Sequence, residues 1–175
     1  GGGRQVSQAL GLLFQPWTWR NGQERETLRT SIREDMHGDV ALFSSGREGL
    51  LALLKALDIH DGDEVIVQAY TCIVVPNAIH AAGATPIYTD IDPDTLNLDP
   101  DDVKKKLTPR TKAVICQHTF GIPAPLSELK DICDRHGIPL LEDCAHIIPD
   151  KTGPNGVART GDYAFFSFGR DKGIS

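Results

Sequence analysis

The chain has 175 residues, of which 40% are hydrophobic and 24% charged, the balance of an ordinary globular protein. Acidic residues outnumber basic ones 24 to 18, for a net charge of −6, and the longest basic run is 104–106. The basic face that nucleic acid binding requires is therefore not predicted. The sequence has neither an apolar stretch of the ~20 residues that a membrane span needs nor the basic-then-apolar order of a signal peptide. We expect a cytoplasmic protein with no membrane partner.

The N-terminal segment, residues 1–40, is predicted to be a helical region or an arm. Residues 23–36 form an amphipathic pattern in which Leu28, Ile32 and Met36 recur every fourth position. Aromatic residues precede this helix and are expected to form a packing patch or to contact a partner: Phe14, Trp17 and Trp19.

After residue 40 the pattern alternates between short apolar strands and helices. The predicted strands are 40–43, 64–68, 85–89, 113–117, 138–142 and 163–168. Four helices are predicted in this region. The first continues through Leu57 and the second covers 74–82. The third begins after Asp99 as N-cap, with Pro100 in its first position, and the fourth covers 125–136. Strands that are apolar on both faces and alternate with helices predict a mostly parallel sheet in a three-layer αβα domain.

The four cysteines predict neither a metal centre nor a redox pair. They are Cys72, Cys116, Cys133 and Cys144, and no two have the C-x-x-C spacing of zinc knuckles or catalytic dithiols. Cys116 lies in an apolar strand, where a buried, reduced thiol is expected.

The first candidate site is Ser44-Ser45-Gly46-Arg47, at the start of the first long helix of the sheet domain. Unpaired backbone N–H groups and the positive helix end make such a segment an anion cradle, and Gly46 would let a phosphate approach the backbone. The alternative is a serine N-cap with no ligand.

The second candidate is Glu142-Asp143-Cys144-Ala145-His146, directly after a strand. Parallel sheets bind ligands beyond the carboxyl ends of their strands, so Asp143 could pair there with a protonated ring nitrogen. Taken alone, Asp143 also fits a helix cap or a solvated carboxylate, and His146 a structural histidine.

The third candidate is Lys172, which follows the strand and turn Phe166-Ser167-Phe168. A lysine serves carbonyl chemistry when its amine is partly desolvated or lies near another cation, and Arg170 could supply that cation. Taken alone, a lysine near a chain end is usually solvated.

In combination, these motifs resemble those of the DegT/DnrJ/StrS family of sugar aminotransferases, which have the fold-type-I architecture of pyridoxal-phosphate enzymes. The stretch 45–50 (SGREGL) resembles the family's S-G-T-x-A-L loop, and the resemblance extends through GDEVI at 62–66, DIDPDT at 90–95, TPRTKA at 108–113 and HTFG at 118–121. Residues 142–146 match E-D-x-A-[QH], and 167–172 match S-F-x-x-x-K. Residues 41–175 would then be the N-terminal part of the cofactor-binding large domain, and the chain, which begins with three glycines and ends at Ser175, a fragment.

The resemblance implies a role for each matching residue around pyridoxal 5′-phosphate. Lys172 would link covalently to the cofactor's aldehyde and later move a proton between substrate and cofactor. Asp143 would keep the pyridine nitrogen protonated, and His146 would lie near the phenolic oxygen.

The phosphate and the ring face involve two departures from the family pattern. Ser167 and the backbone of Gly46 and Arg47 would bind the phosphate, although the family has threonine where Arg47 stands. The family usually stacks an aromatic residue of a [FYW]-T-[FYW] segment on the ring, and its second aromatic is Cys72 here. Tyr70 is the alternative stacking residue.

The resemblance implies a transaminase that moves an amino group from glutamate or glutamine to a keto sugar, expected to be nucleotide-linked, for polysaccharide or aminosugar synthesis. A homodimer is expected for the full-length protein. Two alternatives stay open: another fold-type-I enzyme, such as a lyase or a sugar dehydratase, and a non-catalytic binding or regulatory relative. Dehydrating relatives have histidine at the position of Lys172, which disfavours that branch.

Overall fold

The computed structural model describes residues 11, 22–36, 38–147 and 156–168. The chain divides into two compact units, Gly1–Leu42 and Phe43–Ser175. None of the helices within these described ranges is long and apolar enough to cross a membrane.

The first unit contains helix α1, Gln23–Met36, with the predicted bounds. Its apolar stripe is only partly covered, because Leu28 is 47% exposed. The strand predicted at 40–43 is wrong, since these residues have no regular secondary structure. Arginine side chains of α1 take the carbonyl groups that a strand would pair: Arg29 Nε donates to Val40 O at 2.9 Å, and Arg25 Nη2 to Leu42 O at 3.4 Å.

The second unit is built on five parallel strands in the order β2-β1-β3-β4-β5. The strands are β1 Glu64–Gln68, β2 Thr85–Thr89, β3 Thr111–Gln117, β4 Leu140–Asp143 and β5 Tyr163–Phe165. The helices are α2 Gly46–Ala56, α3 Val74–Ala81, α4 Pro100–Lys106 and α5 Leu126–His136, with a 3-10 turn at Thr119–Gly121. The predicted parallel sheet is confirmed.

Helices cover both faces of the sheet, as predicted. Side chains alternate across β1, so Val65 and Val67 pack in one buried cluster and Ile66 in another. The first cluster includes Leu50 of α2, and the second includes Leu129 of α5. The three-layer αβα architecture follows from this alternation.

Three strands differ from the prediction in their bounds: β3 begins at Thr111 rather than 113, and β4 and β5 differ for local reasons. Strand β4 begins at Leu140 rather than 138, because Gly137 is left-handed and Ile138 N still donates to Cys133 O as α5 ends. Strand β5 ends at Phe165 rather than 168, and the residues after it turn toward the start of α2. That turn brings two predicted site residues together.

Candidate functional site

The strand order reverses between β1 and β3, and in open parallel sheets this reversal opens a crevice at the carboxyl edge. The loop after β1 contains Tyr70 and Thr71, and Thr71 Oγ1 donates to Gln117 Oε1, at the end of β3, at 2.9 Å. Gln117 pairs in register with Asp143, the last residue of β4. Asp143 therefore lies at the edge where a ligand is expected, beside the crevice.

The Asp143 side chain is buried and held by its own turn. It is 4% exposed, and Oδ1 accepts a hydrogen bond from Ala145 N at 3.0 Å. Its backbone carbonyl accepts from His118 N at 3.2 Å, which ties β4 to the loop after β3. The carboxylate thus has a turn-capping role and a fixed position at the sheet edge.

The predicted anion cradle combines α2 with the segment after β5. A Cβ placed on Gly46 would lie 3.5 Å from Ser167 Cβ and 3.7 Å from Ser167 Oγ, so the two residues adjoin. Ser45 caps α2 by accepting from Glu48 N at 3.2 Å, and Ser44 donates to the Glu48 carboxylate. The first N–H groups of a helix have no partner within it, so the serine hydroxyl and the start of α2 place hydrogen-bond donors suited to an anion side by side.

Three rings contact one another in the loops that follow β1, β3 and β4, and we call them the aromatic lip: Tyr70, Phe120 and His146. The Phe120 and His146 rings stack with centroids 5.9 Å apart and planes 6° apart, and Tyr70 tilts against Phe120 at 6.2 Å. Phe120 N donates to His146 Nδ1 at 3.4 Å, which leaves Nε2 to donate. Cys72 is exposed on the same loop as Tyr70.

Sequence reasoning gave Phe120 no role although its motif was recognised. Phe120 has a left-handed backbone, with φ 52°, and the residue is 64% exposed. A buried bond fixes that loop, since Thr119 N donates to Asn97 Oδ1 at 2.9 Å. The signal available in the sequence was an aromatic residue followed by glycine, directly after an apolar strand.

Several residues singled out from the sequence lie outside the described part of the chain, namely Lys172, its neighbour Arg170, and the aromatic residues Phe14, Trp17 and Trp19. Their roles, and the approach of Lys172 to Asp143, stay predictions.

A buried polar cluster lies on the other side of β4. His118, Glu142 and Cys144 place three possible metal ligands within 4.8 Å of one another. Both nitrogens of His118 and both oxygens of Glu142 already take part in hydrogen bonds. Burial raises the pKa of the Cys144 thiol, and the negative charge of Glu142 raises it further. These properties describe a hydrogen-bonded core.

Gly161 is a steric requirement of this cluster. A Cβ there would lie 2.8 Å from Glu142 Cγ and 3.0 Å from the backbone oxygen of Leu140, which cannot retreat. We expect Gly161→Ala to lower the free energy of unfolding by about 1–3 kcal/mol, as overpacking does. Urea denaturation measures this, with Gly38→Ala as control because only Met36 O, at 3.9 Å, lies near a Cβ at Gly38. Equal stability of the two variants would contradict the packing described.

Comparison with known proteins agrees with this geometry. The sequence model of the DegT/DnrJ/EryC1/StrS aminotransferase family matches residues 4–175. The chain is 38% identical over 160 residues to the GDP-perosamine synthase of Vibrio cholerae, and the aligned part covers 91% of this chain and 44% of the relative. It is 37% identical over 131 residues to the UDP-N-acetyl-3-dehydro-α-D-glucosamine 3-aminotransferase of Acidithiobacillus ferrooxidans, covering 75% of this chain and 36% of the relative.

Among solved structures, NtdA from Bacillus subtilis with bound cofactor PMP superposes with a TM-score of 0.68 and 31% identity, covering 70% of this chain and 28% of that one. The chain thus spans less than half the length of these relatives.

Proposed function

Because the chain belongs to the DegT/DnrJ/EryC1/StrS aminotransferase family, we propose that the full-length protein is a transaminase that uses pyridoxal 5′-phosphate. The observation that carries the proposal is the arrangement at the carboxyl edge of the sheet. A hydroxyl and a helix start adjoin at Ser167 and Gly46, and a buried carboxylate lies at Asp143 on the neighbouring strand. A ligand with an anionic group and a basic ring nitrogen suits this set of donors and acceptors.

The residues present would hold the cofactor at several points. Ser167 and the N–H groups of Gly46 and Arg47 would bind its phosphate. Asp143 would hold the proton on its ring nitrogen, and His146 would donate from Nε2 toward its phenolic oxygen. When bound, the cofactor supplies an electron sink for the bonds at the substrate's amine-bearing carbon.

The aromatic lip would supply the residue that stacks on the cofactor ring, and Lys172 the covalent link. Tyr70 is the better candidate for the stacking role, since it is an aromatic residue fixed against Phe120, whereas Cys72 offers no ring. Lys172 would carry the cofactor and would move the proton between substrate and cofactor.

We propose a nucleotide-linked keto sugar as amino acceptor and glutamate or glutamine as donor. The support is chemical and comes from the relatives: one is named for a GDP-linked product, and another for a 3-dehydro sugar attached to UDP. A homodimer and a cytoplasmic location complete the proposal, together with residues 1–40 as an N-terminal arm preceding the cofactor-binding domain.

A half-reaction assay on the full-length protein tests this function. We expect added pyridoxal phosphate to give a visible absorption band, glutamate or glutamine to bleach it by conversion to the amine form, and a keto sugar nucleotide to restore it. A coloured protein that neither donor bleaches would favour the lyase or dehydratase alternative. A colourless protein that binds no cofactor would favour the non-catalytic relative.

A further inference from the structure

Two buried motif residues, His118 and Glu142, have no part in the function proposed above. Both are completely buried, and His118 Nε2 lies 3.0 Å from Glu142 Oε2. Glu142 shares the sheet face of Leu140, opposite to Asp143, because side chains alternate along β4. We propose that Glu142, with His118, is a positioning pair that keeps the phosphate cradle in place relative to Asp143; this inference rests on the proposed function.

The Glu142 carboxylate organises the turn that leads into β5. Ala158 N donates to Oε2 at 2.6 Å, while Gly161 N and Thr160 N donate to Oε1 at 2.6 and 3.2 Å. Asp162 N then donates to Leu140 O at 2.9 Å, and β5 starts at the next residue. The position of β5, and hence of Ser167 just beyond it, depends on this carboxylate.

His118 connects the same carboxylate to the aromatic lip. Its Nδ1 accepts from Ala124 N at 3.0 Å, so the proton is on Nε2, which donates to Glu142. The loop fixed at its two ends by His118 and Ala124 carries Phe120, whose ring stacks on His146. One buried carboxylate therefore anchors segments on both sides of Asp143.

The hydrogen-bond donors around Glu142 cannot all be accommodated by an amide at this position. Four N–H donors converge on the Glu142 carboxylate, an acceptor-only group, so the NH₂ of a glutamine would face at least one donor. His118 cannot relieve the conflict by moving its proton to Nδ1, because Nδ1 would then be a donor that faces the Ala124 N–H. Glu142→Gln changes little in size yet should displace the 156–161 turn and, with it, Ser167.

The test compares two ligands that lack an aldehyde and so cannot link to lysine: pyridoxine 5′-phosphate and pyridoxine. Calorimetry on the full-length protein gives the ratio of their dissociation constants, which is the preference for phosphate. We expect Glu142→Gln to reduce that preference by about 10- to 100-fold, since the loss of a hydrogen bond to a charged group has an effect of about that size on binding. Ser167→Ala should reduce it too, as a positive control for the cradle.

Glu128→Gln is the matched control, because it makes the same chemical change on the exposed face of α5. We expect it to keep the wild-type preference. All titrations are run below the unfolding transition of every variant, so a loss of global stability alone would leave the ratio of the two constants unchanged. A Glu142→Gln protein with the wild-type ratio would overturn the positioning role.

Glu142→Asp replaces Glu142→Gln if the latter does not fold. Aspartate keeps the charge but reaches less far, so part of the preference for phosphate should be lost, and a wild-type ratio would again overturn the inference. The experiment also distinguishes a failure of the proposed cofactor from a failure of the positioning role. Wild-type protein that binds neither ligand overturns the proposed cofactor, whereas a wild-type preference in the Glu142 variant that folds overturns only the positioning pair.

Discussion

Asp143→Asn in the full-length protein is expected to slow transamination by about 100- to 10,000-fold, the range of a lost proton-holding group. If Asp143 holds the ring nitrogen as proposed, an amide there would not keep that nitrogen protonated, and the electron-accepting capacity that the cofactor supplies would fall. The fold should survive, because the asparagine oxygen can still accept from Ala145 N as Asp143 Oδ1 does. Single-turnover kinetics with glutamate measure the chemical step directly.

Asp131→Asn is the control, since Asp131 is exposed on α5. It should leave the rate unchanged, and both variants should unfold near the wild-type temperature. An Asp143→Asn protein with the wild-type rate would mean that this carboxylate only caps its turn.

Lys172→Ala is expected to reduce the rate on the order of 1,000-fold or more, because it removes both the covalent link to the cofactor and the proton carrier. Binding should weaken without being lost, since the start of α2, Ser167 and Asp143 would still contact the cofactor. Added methylamine should restore part of the rate by substituting for the missing amine. Stopped-flow absorbance follows both effects.

Lys112→Ala is the matched control for the lysine variant, because Lys112 is an exposed lysine on β3. It should react at the wild-type rate with or without methylamine. Equal activity of the two alanine variants would exclude Lys172 as the cofactor lysine.

The strands near the site could be predicted because their signals are local. The segments 64–68 and 85–89 are apolar runs between turn residues, and the structure has them with the same bounds. The segment 40–43 has a similar apolar pattern but no strand, since its carbonyl groups bond to arginine side chains of α1. Local pattern cannot distinguish these cases, because the deciding contacts come from another element.

The residues of the candidate site could be named from the sequence, but the contacts between them could not. Asp143, Gly46 and Ser167 stand in recognisable motifs, and the structure makes Gly46 and Ser167 neighbours. The stacking of Phe120 on His146 and the anchoring of the 156–161 turn by Glu142 join residues far apart in sequence. Such contacts depend on the strand order of the sheet, which periodicity alone does not give.

Borohydride reduction followed by peptide mapping decides whether Lys172 is the lysine that carries the cofactor. The reagent fixes pyridoxal phosphate irreversibly to whichever lysine carries it, and mass spectrometry locates the added pyridoxyl group in the full-length protein. We predict a single modification, on Lys172, with a greatly reduced yield when pyridoxine 5′-phosphate competes for the cradle. Modification of a different lysine, or none at all under conditions where the cofactor is bound, would contradict the proposed site.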